Sequence, residues 1–134
     1  MILRRRRWPE DLDQPHEVFV VQSERLAAAR RALLSCLPVG RVAPIPVTVG
    51  LDLLNDELDV LRRELPAWRH ETVDGVWWGC LAAIDEARAA IPAARAVARR
   101  SGELEELLGA VSGVDEPLGE AWQAAERAWN RLRT

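Results

Sequence analysis

Between Val47 and Trp68 the apolar residues fall at Val47, Leu51, Leu54, Leu58, Leu61, Leu65 and Trp68, at steps of 4, 3, 4, 3, 4 and 3. Residues three and four apart share one face of an α-helix, so this stretch predicts a helix with one continuous apolar seam. Asp52, Asp56, Glu57, Asp59, Arg62, Arg63 and Glu64 lie between the seam positions and read as its solvated side. A seam this regular needs other helices to cover it.

The rest of the chain supplies them. A first helix is expected from an Asp13 cap, with Pro15 in its first turn and Phe19, Gln22, Leu26, Ala29, Leu33 and Cys36 on one face. Gln22 is the one polar residue on that face. It reads either as the point where the seam meets solvent or as a register-setting buried polar pair. Pro38 and Gly40 stop this helix, and residues 38–46, with three prolines, read as an extended crossover. Thr48 is the expected cap of the second helix, and Pro66 its expected end. A third helix from near Thr72 carries Val73, Trp77, Cys80, Ile84, Ala87, Ile91 and Ala94, with Pro92 as an expected kink or break. Its glycines Gly75 and Gly79, followed by several alanines, predict a close helix approach. A short helix over Leu104–Val111, weakened by Gly109, Ser112 and Gly113, is expected to precede a last helix starting at Asp115. That last helix shows Leu118, Trp122, Ala125, Trp129 and Leu132 at steps of 4, 3, 4 and 3.

The expectation is an all-α protein: an antiparallel bundle of four main helices plus one short helix over residues 15–134, preceded by an extended basic N-terminal arm over residues 1–14. With 134 residues, it is long enough for a core without metal or disulfide staples.

Charge separates the arm from the body. All eighteen basic residues are Arg, a bias that GC-rich coding explains, and four of them form the run Arg4–Arg7. From Trp8 onward there are fourteen Arg against twenty-one acids, a net of −7. An acidic body disfavours nucleic acid except through the arm, and a basic arm can lie on that body or on a second copy. Cys36 and Cys80 are far apart on helical stretches and read as buried thiols. Pro9 and two acids follow the arginines where a leader would have its apolar run, and no run is long enough to span a membrane. The expected location is the cytoplasm.

Catalytic constellations are sparse. The two histidines, His16 and His70, lie on no seam with a Ser or Cys, so no nucleophile–base pair is visible. No phosphate-cradling glycine loop occurs. One arrangement of carboxylates offers chemistry: Asp56 and Asp59 on the second helix, Glu71 and Asp74 at the start of the third. Paired acids at i and i+3 on two facing helices can hold Mg²⁺ through oxygen ligands. This spacing resembles the all-α nucleoside triphosphate pyrophosphohydrolases of the MazG type, over about twenty residues, with Glu71-Thr-Val-Asp74-Gly-Val-Trp-Trp as the second half of the motif. The first half has Asp where that family has Glu. The resemblance implies a divalent-metal nucleotide hydrolase with Asp56, Asp59, Glu71 and Asp74 as metal ligands.

The leading expectation is nevertheless a non-catalytic helical bundle with neither cofactor nor metal, acting through protein–protein contacts as a homodimer or with another protein. Its candidate contacts are Arg4, Arg5, Arg6, Arg7, Trp8 and Trp78, since two adjacent Trp at 77 and 78 cannot both face the core. A third reading is a regulator that binds a small molecule in a Trp-lined cavity, or nucleic acid through the arm.

Overall fold

A computed structural model describes residues 10–37, 46–100 and 103–132. Four helices carry the fold: α1 (Asp13–Ser35), α2 (Val47–Glu64), α3 (Asp74–Arg100) and α4 (Leu104–Arg131). Short 3-10 turns precede α1 (Glu10–Leu12), follow α2 (Leu65–Trp68) and lead into α3 (Glu71–Val73). No strand occurs among the described residues. The four helices share one apolar core.

The periodicities account for that core. Every seam residue of α2 is buried, as are Val73, Trp77, Cys80, Ile84, Ala87, Ile91 and Ala94 of the next stretch. Leu118, Trp122, Ala125 and Trp129 line the inner side of α4. Consecutive helices pack on each other, α1 on α2, α2 on α3, and most extensively α3 on α4; α1 and α4 meet only lightly.

Several local expectations are corrected. The short helix and the last helix are one, since α4 runs unbroken through Gly109, Gly113 and Pro117. Pro117 deprives the Gly113 carbonyl of its helical donor, but Gly113 is exposed and water can take the donor's place. Likewise α3 continues through Pro92, which is exposed. Neither Asp13 nor Thr48 is a cap: Leu12 and Pro46 hold those positions, without a side-chain bond. The crossover over residues 38–45 and the arm at residues 1–9 lie outside the described residues.

Gln22 is a buried polar pair, 2% exposed. Its Nε2 donates to the Glu64 carbonyl at 2.9 Å, and its Oε1 accepts from Trp68 Nε1 at 2.9 Å. Trp77 Nε1 donates to the Leu65 carbonyl at 2.9 Å. The last carbonyls of a helix have no partner inside it. Here α1 and α3 each send a side chain to the end of α2, where Pro66 stops the helix. Phe19, Trp68 and Trp129 close the same layer, with ring centroids 5.0 to 6.4 Å apart.

The small residues that permit close approach are not the predicted ones. A Cβ on Gly75, Gly79, Gly109 or Gly113 would meet nothing within 4 Å. On Gly50 it would lie 2.8 Å from Cys36 Sγ and 3.3 Å from the Leu33 backbone. Gly50 therefore sets the spacing between the start of α2 and the end of α1. Around the rim, Arg25 bridges Glu57 and Glu64, Arg62 meets Asp85, Arg88 meets Asp59 and Arg95 meets Asp52. Exposed pairs of this kind each contribute about 0–1 kcal/mol, so they align α2 with its neighbours more than they stabilise it.

Two outcomes are expected in urea unfolding. Gly50→Ala destabilises by about 1–3 kcal/mol through overpacking against backbone, although alanine is the better helix former, whereas Gly79→Ala stabilises by about 0.5–1 kcal/mol. Gln22→Leu costs about 2–3 kcal/mol, because it leaves Trp68 Nε1 and the Glu64 carbonyl without their partner.

Candidate functional site

The light contact between α1 and α4 leaves a groove of about 420 Å³. Phe19, Leu26, Trp122 and Trp129 form its apolar floor, with His16 and Asn130 at one end and Arg30 and Gly119 at the other. These residues face one another because α1 and α4 are antiparallel: His16 meets the Trp129 ring edge-on at 5.2 Å, while Arg30 meets Asp115 fourteen residues further along each helix.

The Arg30–Asp115 pair closes the far end. Arg30 Nε donates to one carboxylate oxygen at 2.7 Å and Nη2 to the other at 3.1 Å, so the planar guanidinium is held at two points. A Cβ on Gly119 would lie 2.6 Å from Arg30 Nη2. The absent side chain gives the guanidinium room to lie across α4. Beyond this clasp Leu34 of α1 and Leu104 and Leu108 of α4 are 41%, 43% and 47% exposed. Leu34 is four residues past Arg30, and Leu108 seven before Asp115, so both stand on the α1/α4 side. Val20, also exposed, stands on the near wall of the groove.

Three polar groups in the groove have no partner among the described residues. Trp122 is buried, yet its Nε1 has no hydrogen-bond partner among the described residues. A buried donor without an acceptor is a cost that a ligand's carbonyl or carboxylate would remove. Glu24 and Glu126, both exposed on the walls, make no ion pair among the described residues, whereas Glu57, Glu64, Asp59, Asp85 and Asp115 are all paired with arginines.

The carboxylates expected to hold a metal do not come together. Asp59 lies between Arg63 at 3.3 Å and Arg88 at 3.6 Å. Asp74 accepts from Arg69 Nε and from Trp78 Nε1, each at 3.2 Å. Asp56 is exposed on α2, and Glu71 is exposed in the turn before α3. No group of three or more His, Cys, Asp or Glu able to hold a metal exists among the described residues. The i, i+3 spacing is real, but arginines are the charges nearest to Asp59 and Asp74.

Trp78 is 48% exposed while Trp77 is 4% exposed, as their adjacency requires. Arg69 stacks on both rings, 4.7 and 4.8 Å from their centroids. His70 caps the turn before α3, its Nδ1 accepting from the Thr72 N–H at 3.2 Å; Nε2 then carries the proton toward Asp11 Oδ2 at 3.1 Å. This corner holds the start of the described chain against the loop between α2 and α3. Arg4, Arg5, Arg6, Arg7 and Trp8 lie outside the described residues.

Both thiols are buried and unbridged. Burial pushes Cys80 up to about 12 and raises Cys36 as well. No helix among the described residues is long and apolar enough to cross a membrane. No protein-family model, curated protein or solved structure matches the chain.

The thiols generate a prediction. Neither cysteine of the native protein reacts appreciably with iodoacetamide at pH 8, and both react fully in urea, as mass spectrometry would record. The Cys80 thiol stays protonated in the folded state above its ordinary value of 9.0, while the unfolded chain ionises there. Its contribution to stability is therefore full below about pH 9 and declines as pH rises toward 12.

Proposed function

We propose that this protein is a non-catalytic helical bundle that acts through protein–protein contacts, taking an amphipathic helix of a partner into the α1/α4 seam. One observation carries this reading: among the described residues α1 and α4 meet only lightly and leave a groove with an apolar floor, and Leu34, Leu104 and Leu108 of the same two helices are exposed beyond it. Apolar surface that is contiguous and rimmed by polar residues marks an interaction site. A strip from His16 to Leu34 is about 27 Å long at 1.5 Å per residue, enough for five turns of a docked helix.

The chemistry of the partner follows from the walls. Glu24 and Glu126 have no ion-pair partner among the described residues, and the body carries a net −7 from Trp8 onward, so the docked helix is apolar on one face and basic beside it. A small molecule would fill the groove but leave the strip beyond the Arg30–Asp115 clasp uncovered. Within the protein–protein class, the homodimer is the case in which a second copy supplies the covering surface.

A photo-crosslinking residue placed in the full chain at Ala27, on the groove wall, is expected to give one discrete adduct in cells. The same residue at Asp56, on the outer side of α2, gives none, and Leu34→Arg abolishes the Ala27 adduct. An adduct of about twice 15.0 kDa identifies the homodimer. Equal labelling from both positions, or no adduct from Ala27, contradicts the proposal.

A further inference from the structure

One donor in the α1/α4 groove says what a docked helix must carry. We propose that the partner helix is selected by a neutral carboxamide on its apolar face, a Gln or Asn whose oxygen accepts from Trp122 Nε1. The inference rests on the groove being a docking site for a partner's helix, as argued above.

Trp122 stands in the half of the groove next to the Arg30–Asp115 clasp. It lies seven residues past Asp115, and Ser23 lies seven before Arg30, so the two are level on antiparallel helices, about 10 Å from the clasp. The Trp122 side chain is 7% exposed, and its Nε1 is buried with no acceptor among the described residues. Three other indoles are satisfied: Trp68 Nε1 donates to Gln22 Oε1 at 2.9 Å, Trp77 Nε1 to the Leu65 carbonyl at 2.9 Å and Trp78 Nε1 to Asp74 at 3.2 Å. A buried donor without a partner carries the desolvation cost of an unmade bond. Bulk water does not reach this one, so the cost falls only when a group is inserted between α1 and α4, which meet only lightly.

Elimination gives the class of acceptor. A docked helix uses its backbone carbonyls for its own hydrogen bonds, so the acceptor is a side chain. A carboxylate there would meet Glu24, next to Ser23 in sequence, and Glu126, one turn past Trp122, and like charges exclude it. A Ser or Thr hydroxyl is short and turns back to its own helix, as Ser23 Oγ does in donating to the Phe19 carbonyl at 2.7 Å. A carboxamide is neutral, longer and double-ended. Its oxygen serves Trp122, and its NH2 finds an acceptor in Ser23 Oγ, whose own proton is committed to Phe19. The protein makes this bond once already, inside its core, where the Gln22 carboxamide accepts from Trp68 Nε1 and donates to the Glu64 carbonyl. Apolar anchors slide by a turn at little cost, whereas a bond to one indole fixes the register of the docked helix.

The test uses the purified full chain and synthetic Leu/Ala/Arg amphipathic peptides of about 18 residues, which span the strip at 1.5 Å per residue. The parent has Leu throughout its apolar face, and Gln replaces each Leu in turn. Such a replacement ordinarily weakens docking on an apolar floor. The expected result is one position at which Gln tightens binding by about fivefold to tenfold. On binding that peptide, the Trp122 indole N–H resonance, assigned with Trp122→Phe, moves downfield. Trp122→Phe keeps an aromatic floor and removes the donor, so it binds the same Gln peptide more weakly than the parent. Glu at that position binds worse than either. Circular dichroism checks that the variant is folded; if it is not, the indole shift in the unaltered protein decides. The proposal is overturned if every Gln peptide binds more weakly than the parent, if the gain survives in Trp122→Phe, if Glu equals Gln, or if no peptide binds. Such a failure leaves the partner reading intact, since that reading is decided by the Ala27 adduct in cells.

Discussion

The end of α2 is the point on which the bundle depends. Pro66 stops the helix and leaves carbonyls with no donor of their own. Gln22 of α1 and Trp77 of α3 supply donors from opposite sides, and Trp68 returns a bond to Gln22. Three helices are thereby set in register by one buried polar layer, which Phe19 and Trp129 complete with aromatic contacts. The apolar seams are degenerate, since sliding a helix by one turn would bury leucines about as well. Hydrogen bonds with fixed partners are not degenerate, so this layer selects one register among several comparable packings.

What the sequence made legible follows the same division. The seams of α2, α3 and α4 were readable because burial imposes a spacing of three and four residues, and the structure buries those residues. Less visible was the continuity of α4. Gly109, Ser112, Gly113 and Pro117 weaken a helix locally, but packing against α3 outweighs that weakness, and local propensity does not report packing. The glycines misled for a related reason. Gly75 and Gly79 have the right spacing for close approach, yet they point away from any neighbour, whereas Gly50 and Gly119 sit alone in sequence and are in contact.

The candidate site was legible only in part. Trp122 and Trp129 were expected in the core, and the structure buries both, on the floor of the α1/α4 groove. That Glu24 and Glu126 flank it could not be read, because they lie on helices separated by most of the chain. The carboxylate spacing at Asp56, Asp59, Glu71 and Asp74 was plain in the sequence. The pairing of Asp59 with Arg63 and Arg88, and of Asp74 with Arg69, was not, since ion pairing is settled by tertiary geometry.

Among the four helices, neighbours in sequence pack most extensively, and only the first and last, which meet lightly, are distant in the chain. Three of the four interhelical contacts therefore close short loops and form early, at little entropic cost. The remaining one joins distant parts of the chain and contributes least to the core. A bundle connected this way holds its first and last helices together chiefly through one two-point contact, the Arg30–Asp115 pair.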